Sequence, residues 1–101
     1  MATTAIAIYR GAASTTTTTT LGTVPSGKTW IITNILVTNT SGSAQSYTLA
    51  LDGVSIATTV TIGAQDSVSI DIKQVLAATK IVSGGASATS VNFHISGVEI
   101  G

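Results

Sequence analysis

The chain has 101 residues, no net formal charge and no cysteine, and 8% of its residues are charged while 44% are hydrophobic. A chain of this length forms one domain with one core. Its four cationic residues are scattered along the sequence, which argues against nucleic acid and anionic membrane surfaces as partners, because both attract clustered Lys and Arg. Without cysteine the chain has neither a disulfide framework nor a thiolate metal site.

The low charge also bears on association and targeting. Near-zero net charge promotes association between protein molecules, so we expect partners, including copies of this chain, to cover much of the surface. The N-terminal sequence MATTAIAIYRG lacks the basic and long apolar regions of a secretory signal, and no apolar window has the length of a transmembrane helix. The sequence therefore predicts neither classical export nor insertion into a membrane.

Residues 1–20 are predicted to form an N-terminal strand or arm that a neighbouring subunit could share, ahead of a β-sandwich domain at residues 21–101. Thr3–Tyr9 alternates as a first strand, and the segment RGAAS follows as a loop. Six consecutive threonines then occupy Thr15–Thr20. Because the branched Cβ of threonine packs well on a pleated surface, we expect this run to be an edge strand, joined in a hairpin to the next strand by a turn at Val24–Lys28. A disordered linker or an arm that crosses to another subunit is the alternative.

The longest predicted strand is Thr29–Thr40, which has apolar residues on both faces. Such a strand is central in its sheet or is covered on its second face by another subunit. Strict alternation would give one face Trp30, Ile32, Asn34, Leu36 and Thr38, and the other face Ile31, Thr33, Ile35 and Val37.

The dipeptide Asp52-Gly53 predicts a hairpin with a two-residue type I′ turn. Alternating apolar residues precede and follow this turn, and we expect them to share one apolar face: Tyr47, Leu49, Leu51, Val54, Ile56, Val60 and Ile62. The later segment Ser67–Lys73 alternates in the same way, with Val68, Ile70 and Ile72 predicted to point inward.

The C-terminal part is predicted to contain three further elements. DIKQVLAATKI suits one helical turn or a bend, TKIV a short strand, and SGGASATS a flexible loop. In the final strand, Val91–Ile100, the alternation shifts at Ser96-Gly97, so a β-bulge at Gly97 would bring Val98 and Ile100 to the inner side. The total of about eight strands without a long crossover predicts an all-β fold, an antiparallel β-sandwich of jelly-roll type.

No group of residues has the spacing of a catalytic, cofactor or metal site. His94, the single histidine, lies within a predicted strand as an exposed or interface residue, and no serine stands in a Gly-x-Ser-x-Gly elbow. Asp66 is expected to cap a turn and Asp71 to face outward. Trp30 is expected in the core or at a subunit interface rather than in an exposed carbohydrate-binding platform. We therefore expect no enzymatic activity, cofactor or metal.

Three short motifs carry a resemblance to known proteins. They are the turn VPSGK at Val24–Lys28, the strand end TNT at Thr38–Thr40, and the terminal SGVE at Ser96–Glu99. By these motifs the chain resembles small β-sandwich structural proteins of tailed bacteriophages. The resemblance extends from about Thr19 to Gly101. The threonine run and the first strand depart from that pattern.

The resemblance implies a non-enzymatic virion protein, made in the host cytoplasm and then part of the particle. Its most concrete form is a capsid decoration, or cement, protein that acts as a homotrimer and bridges capsomers of the major capsid protein. The alternative is a tail- or neck-associated structural subunit, or a receptor- or glycan-binding module. The residues expected at subunit interfaces are Tyr9, Thr15, Thr16, Thr17, Thr18, Thr19, Thr20 and Trp30.

Overall fold

The computed structural model describes residues 2–101, which form eight β-strands and no helix. The predicted all-β sandwich is confirmed. The strands are β1 (Thr3–Ala12), β2 (Thr20–Thr23), β3 (Thr29–Asn39), β4 (Gln45–Leu51), β5 (Val54–Ile62), β6 (Ser67–Leu76), β7 (Ile81–Ala86) and β8 (Val91–Ile100).

Two four-stranded antiparallel sheets make up the sandwich. Sheet A has the strand order β1-β8-β3-β6, and sheet B has the order β2-β7-β4-β5. Strand β4 pairs with β5, β3 with β6, β2 with β7, and β1 with β8. The pairing is therefore that of one long hairpin folded over itself, with alternate pairs assigned to alternate sheets, which is the jelly-roll arrangement.

The tip of this long hairpin is the predicted turn between β4 and β5. Asp52 and Gly53 have φ angles of 53° and 75°. Positive φ at both central residues defines a type I′ turn, whose twist matches that of the flanking strands. The predicted hairpin is confirmed.

The core lies between the two sheets and is built from inward-facing residues of both. Sheet A contributes Phe93, the largest side chain that is fully buried, and sheet B contributes Leu49. Asn39 is also fully buried, and its side-chain amide donates to the carbonyl oxygens of Ser43 (2.8 Å) and Gly63 (3.1 Å). These bonds connect the end of β3 to the loops on either side of the β4–β5 hairpin.

The predicted faces of β3 are correct as far as Ile32 and wrong beyond it. Trp30 and Ile32 are buried as one would expect for a common face, but so are Ile35 and Val37. The pairing register of β3 shifts between Ile32 and Asn34 against both of its neighbours. An extra residue there reverses the phase of every side chain that follows.

The predicted bulge at Gly97 lies at the right level of sheet A but in the wrong strand. The burial of β8 alternates without interruption through Gly97, whereas the neighbouring strands shift register opposite it, between Ala7 and Tyr9 and between Ile32 and Asn34. A Cβ at Gly97 would overlap the carbonyl oxygen of Ile31. The glycine therefore serves a close backbone approach, while Val98 and Ile100 stay on the outer phase of β8.

Three other predicted elements also differ from the structure. The segment RGAAS is partly strand, since β1 continues to Ala12, and DIKQVLAATKI contains no helical turn, since β6 continues to Leu76 and a turn follows. SGGASATS is not a flexible loop throughout, because its first residues belong to β7, the most uniformly buried strand of sheet B. Gly84 is required there, because a Cβ at this position would overlap the backbone of Thr48.

Candidate functional site

Sheet B has no charged residue in any of its four strands. All the charged residues within strands belong to sheet A, and they are Arg10, Asp71, Lys73 and Glu99. The remaining four lie in turns: Lys28, Asp52, Asp66 and Lys80. The outer surface of sheet B is consequently uncharged and consists mainly of serine, threonine, alanine and glycine, with half-buried Ile81 among them. Such a surface costs little free energy to remove from water compared with a charged one.

The threonine run covers part of that outer surface, and it is a turn instead of the predicted strand. Only Thr20 belongs to a strand, β2, which pairs with β7 and not with β3. Before it, Ala86 N donates to Ser14 O and Gly84 N donates to Thr19 O, both at 2.9 Å. These two bonds to β7 leave residues 15–18 to project as a turn.

The local chemistry explains why a turn forms from residues with high strand propensity. Both the amide and the hydroxyl of Thr19 donate to the carbonyl of Thr16, at 3.2 and 2.7 Å, and Ser14 Oγ accepts from the amide of Thr16 at 3.1 Å. Hydroxyl side chains compete with sheet pairing through such local bonds. Gly85 makes room for the turn, because a Cβ there would lie only 2.5 Å from Thr16 O.

One lateral edge of the sandwich, between β1 and β2, is closed by side chains. A Cβ added to Gly22 would lie 2.8 Å from Ile8 and 3.1 Å from the ring of Trp30, so both side chains pack directly on this glycine. Tyr9 is half-buried, packs against the core, and donates from its hydroxyl to Ala12 O at 2.6 Å. Trp30 is 7% exposed and donates from Nε1 to Glu99 at 2.9 Å.

The structure therefore divides the eight predicted interface residues into two groups. Thr15, Thr16, Thr17, Thr18 and Thr20 are exposed next to sheet B, with Thr19 half-buried beside them. Tyr9 and Trp30 lie at the closed edge, where Trp30 has little surface left for a partner. Strand β1 itself pairs with β8 of the same chain, and the sharing of residues 1–20 between subunits stays a prediction.

The opposite lateral edge, between β5 and β6, is open. The four large hydrophobic residues that are exposed among residues 2–101 all lie on these two strands: Val54 (68%), Ile56 (41%), Val60 (38%) and Val75 (69%). The connection from β5 to β6 spans only residues 63–66, which keeps the two edge strands on the same side of the sandwich. Half-buried Val68, Ile70 and Ile72 of β6, which face inward as predicted, lie behind this edge.

The sequence alone did not identify this open edge. Val54, Ile56 and Val60 were expected to continue the apolar face of β4, yet only Ile62 at the end of β5 is buried. Val54 and Val60 do lie opposite the inward-facing Leu51 and Tyr47, so their phase is as predicted. They are exposed because no further strand covers them, and strand order is a property of the tertiary fold.

The polar residues with potential chemical roles are dispersed. His94 lies on the outer phase of sheet A opposite Arg10 on one side and Leu36 on the other. Asp66 accepts from the amide of Ser67 at 2.8 Å, and Asp71 accepts from Asn34 at 3.2 Å. Residues 2–101 contain no cluster of three potential metal ligands and no pocket, and no helix among them has the length and apolar character to cross a membrane.

Burial raises the pKa of Tyr47 above its ordinary value.

Comparison with known proteins finds similar structures but no relative by sequence. No protein-family model and no curated protein matches the chain. The C-terminal domain of EclA, a sugar-binding protein, is 18% identical with a TM-score of 0.47, and the alignment covers 97% of this chain and 77% of that domain. Two structures of a pentameric capsid protein from metagenomic phage sequences are each 18% identical, with TM-scores of 0.37 and 0.38 over 96% of this chain. The alignments cover 59% and 60% of those capsid chains. Likenesses of this size do not indicate what this chain binds.

Proposed function

We propose that this protein is a non-enzymatic structural subunit of a bacteriophage particle, and specifically a decoration protein that bridges capsomers of the major capsid protein. The observation that carries the proposal is the absence of charge from all four strands of sheet B. The motifs at Val24–Lys28, Thr38–Thr40 and Ser96–Glu99, which resemble phage structural proteins, add support for the particle as its location.

An uncharged face suits a contact that forms once and stays buried. Serine and threonine hydroxyls can exchange water for partners on another protein, whereas an unpaired charge would have to be desolvated at a cost of several kcal/mol (about 3–5 when its partner is missing). The projecting residues 15–18 extend this face without adding charge. Sheet B and the threonine turn are therefore the surface that we assign to the capsid.

The proposed action is mechanical. Backbone hydrogen bonds join the four strands of each sheet, and the two sheets share one core. A subunit docked by sheet B across the junction between two capsomers would resist their separation through this rigid frame. Internal DNA pressure would then load the many weak contacts in parallel. A homotrimer fits a quasi-three-fold junction, and this oligomeric state is part of the proposal.

Co-sedimentation with phage heads that lack this chain tests the proposal. The test variant is Thr17→Lys/Thr18→Lys, which places two charges on an exposed turn, and the matched control is Ser26→Lys/Thr89→Lys, at exposed positions in the loops that follow β2 and β7, outside the strands and the threonine turn. We expect wild type and control to bind heads and the test variant to bind at least about tenfold more weakly, equivalent to roughly 1.4 kcal/mol.

Two results would count against this assignment. Equal binding by the test and control variants would remove the threonine turn and its face from the contact. Binding of the wild type to necks or tails, with none to heads, would replace the decoration role with the neck or tail role. A glycan array addresses the receptor-binding alternative, which has little structural support because Trp30, Tyr47 and Phe93 are all buried.

A further inference from the structure

The open lateral edge is a surface of different character from sheet B. It combines exposed apolar side chains with both signs of charge: Val75 lies with Asp71 and Lys73 on the outer phase of β6, and Val54 and Val60 lie on the inner phase of β5, where no strand covers them. The opposite lateral edge is closed by Ile8 and Trp30 on Gly22. Exposed apolar residues confined to one edge indicate a contact surface, because isolated ones would be scattered over the whole protein.

We propose that the open edge packs against a second copy of this chain. The inference rests on the proposed function in one respect, that the protein works as a subunit of an assembly, and it assigns the subunit–subunit contact to β5 and β6. Sheet B is left free to face the capsid.

Two properties favour an identical copy over another partner. The chain has no net charge, so two copies approach without the long-range repulsion that charged molecules would have. At the edge itself, Asp71 and Lys73 stand two residues apart on one strand, and Asp52 and Lys80 pair at 3.9 Å near its end. Asp71 and Lys73 of one copy can therefore meet Asp52 and Lys80 of the next with opposite charges adjacent, and such a head-to-tail contact between two different parts of the edge can close a trimer.

The size of the edge is also sufficient. The molecule measures 46 × 21 × 18 Å along its principal axes. A stable protein interface buries about 800 Å² on each partner, and a lateral side as long as the molecule and as thick as the sandwich can supply that area.

The contact involves side chains and does not extend a sheet by strand addition. The register of β5 against β4 shifts twice, between Tyr47 and Leu49 and again between Leu49 and Ala50, and Thr59 has a positive φ of 47°. The register between β3 and β6 shifts once, between Ile32 and Asn34. Such irregularities prevent regular backbone pairing at an edge, while they leave the valine and isoleucine side chains available for packing.

Sedimentation equilibrium of the purified protein, with Val54→Lys/Val75→Lys as the test variant, examines this proposal. Both valines are about two-thirds exposed, so the substitutions should not disturb the core, and circular dichroism and a thermal melt check this. Ser26→Lys/Thr89→Lys is again the control with the same added charge. We expect wild type and control to self-associate, and the test variant to do so at least about tenfold more weakly.

The outcomes separate this inference from the proposed function. Self-association of the test variant at the wild-type strength would overturn the assignment to the open edge, and a wild type that stays monomeric at 10.1 kDa would overturn the choice of a second copy. Neither result concerns head binding. A test variant that is monomeric yet still binds heads through sheet B would support both surfaces, whereas an intact oligomer without head binding would contradict the decoration role alone.

Discussion

Sheets A and B contribute to the same core but differ on their outer faces. Phe93 in sheet A and Leu49 in sheet B are both fully buried, yet the charged residues within strands all belong to sheet A. The difference shows that the inner faces are determined by packing within the subunit. The outer faces are free to differ, and the one without charge is the one we assign to a partner.

The largest expected effects test whether the two sheets share one cooperative core. Phe93→Ala and Leu49→Ala should each lower the free energy of unfolding by about 3–5 kcal/mol, because each removes a fully buried side chain and leaves a cavity. Thr89→Ala, at an exposed loop position, should change it by less than about 0.5 kcal/mol. Urea unfolding monitored by circular dichroism measures all three. If one of the two core variants lost several kcal/mol of unfolding free energy and the other lost little, the two sheets would unfold separately.

A smaller loss is expected where one polar side chain joins the sheets. Asn39→Ala should cost about 2–3 kcal/mol, since it removes the donor to Ser43 O and Gly63 O and the acceptor that Ser41 uses for both its amide (3.0 Å) and its hydroxyl (2.9 Å). Ser41→Ala is the comparison, because it removes only the hydroxyl contacts. Equal stability of the two variants would show that the amide contributes nothing beyond its bond to Ser41.

Two glycines allow the sheets to be compared directly. Gly97→Ala in sheet A would press a Cβ against Ile31 O inside a strand ladder, and should cost about 2–3 kcal/mol. In Gly85→Ala, in sheet B, the added Cβ would press on Ser14 O and Thr16 O of the exposed threonine turn, outside the strands, so about 1 kcal/mol is expected. Chemical denaturation gives both values. Hydrogen exchange at the Gly84 and Ala86 amides, which donate to Thr19 and Ser14, should accelerate in the Gly85 variant alone.

The smallest effect concerns pH and the inner face of sheet B. Burial raises the pKa of Tyr47 in the folded protein, so its neutral form stabilises the fold fully below the unfolded pKa near 10, and this contribution is lost as pH rises through the folded pKa. Tyr47→Phe should therefore make stability fall less steeply above pH ~10, with a change below about 1 kcal/mol at neutral pH. Thermal melts at neutral and alkaline pH compare the two proteins. If the melting temperatures of the two proteins fell equally with rising pH, Tyr47 would not be responsible for the loss of stability at alkaline pH.

Much of the fold was predictable because local chemistry determines it. The Asp52-Gly53 turn requires two residues with positive φ, and the alternation of Val68, Ile70 and Ile72 follows from the two-residue period of a strand. The register shift beyond Ile32 was not predictable, because it is a property of how β3 pairs with β6 and β8, and the residues of β3 alternate without a local signal for it.

The candidate surfaces were less predictable, for two physical reasons. The threonine run has high strand propensity, but hydrogen bonds from Thr19 to Thr16 and the space above Gly85 favour a turn. The exposure of Val54 and Val75 depends on which strands lie at the edges of the sheets, and no local pattern reveals that. Low overall charge did predict extensive contact surfaces, and this stays a prediction until assembly is measured.

The nested pairing of the strands has a consequence for how the chain folds. Leu51 and Val54 meet across a two-residue turn, while Thr3 must find Ile100 at almost the full length of the chain. Each pair outward from the tip closes a longer loop, and long-range pairing slows folding. On the ribosome, β1 emerges first and receives its partner last. Until β8 has been made, the uncharged segment Thr3–Tyr9 of β1 has no partner strand, and we expect it to be the segment most exposed to pairing with other chains.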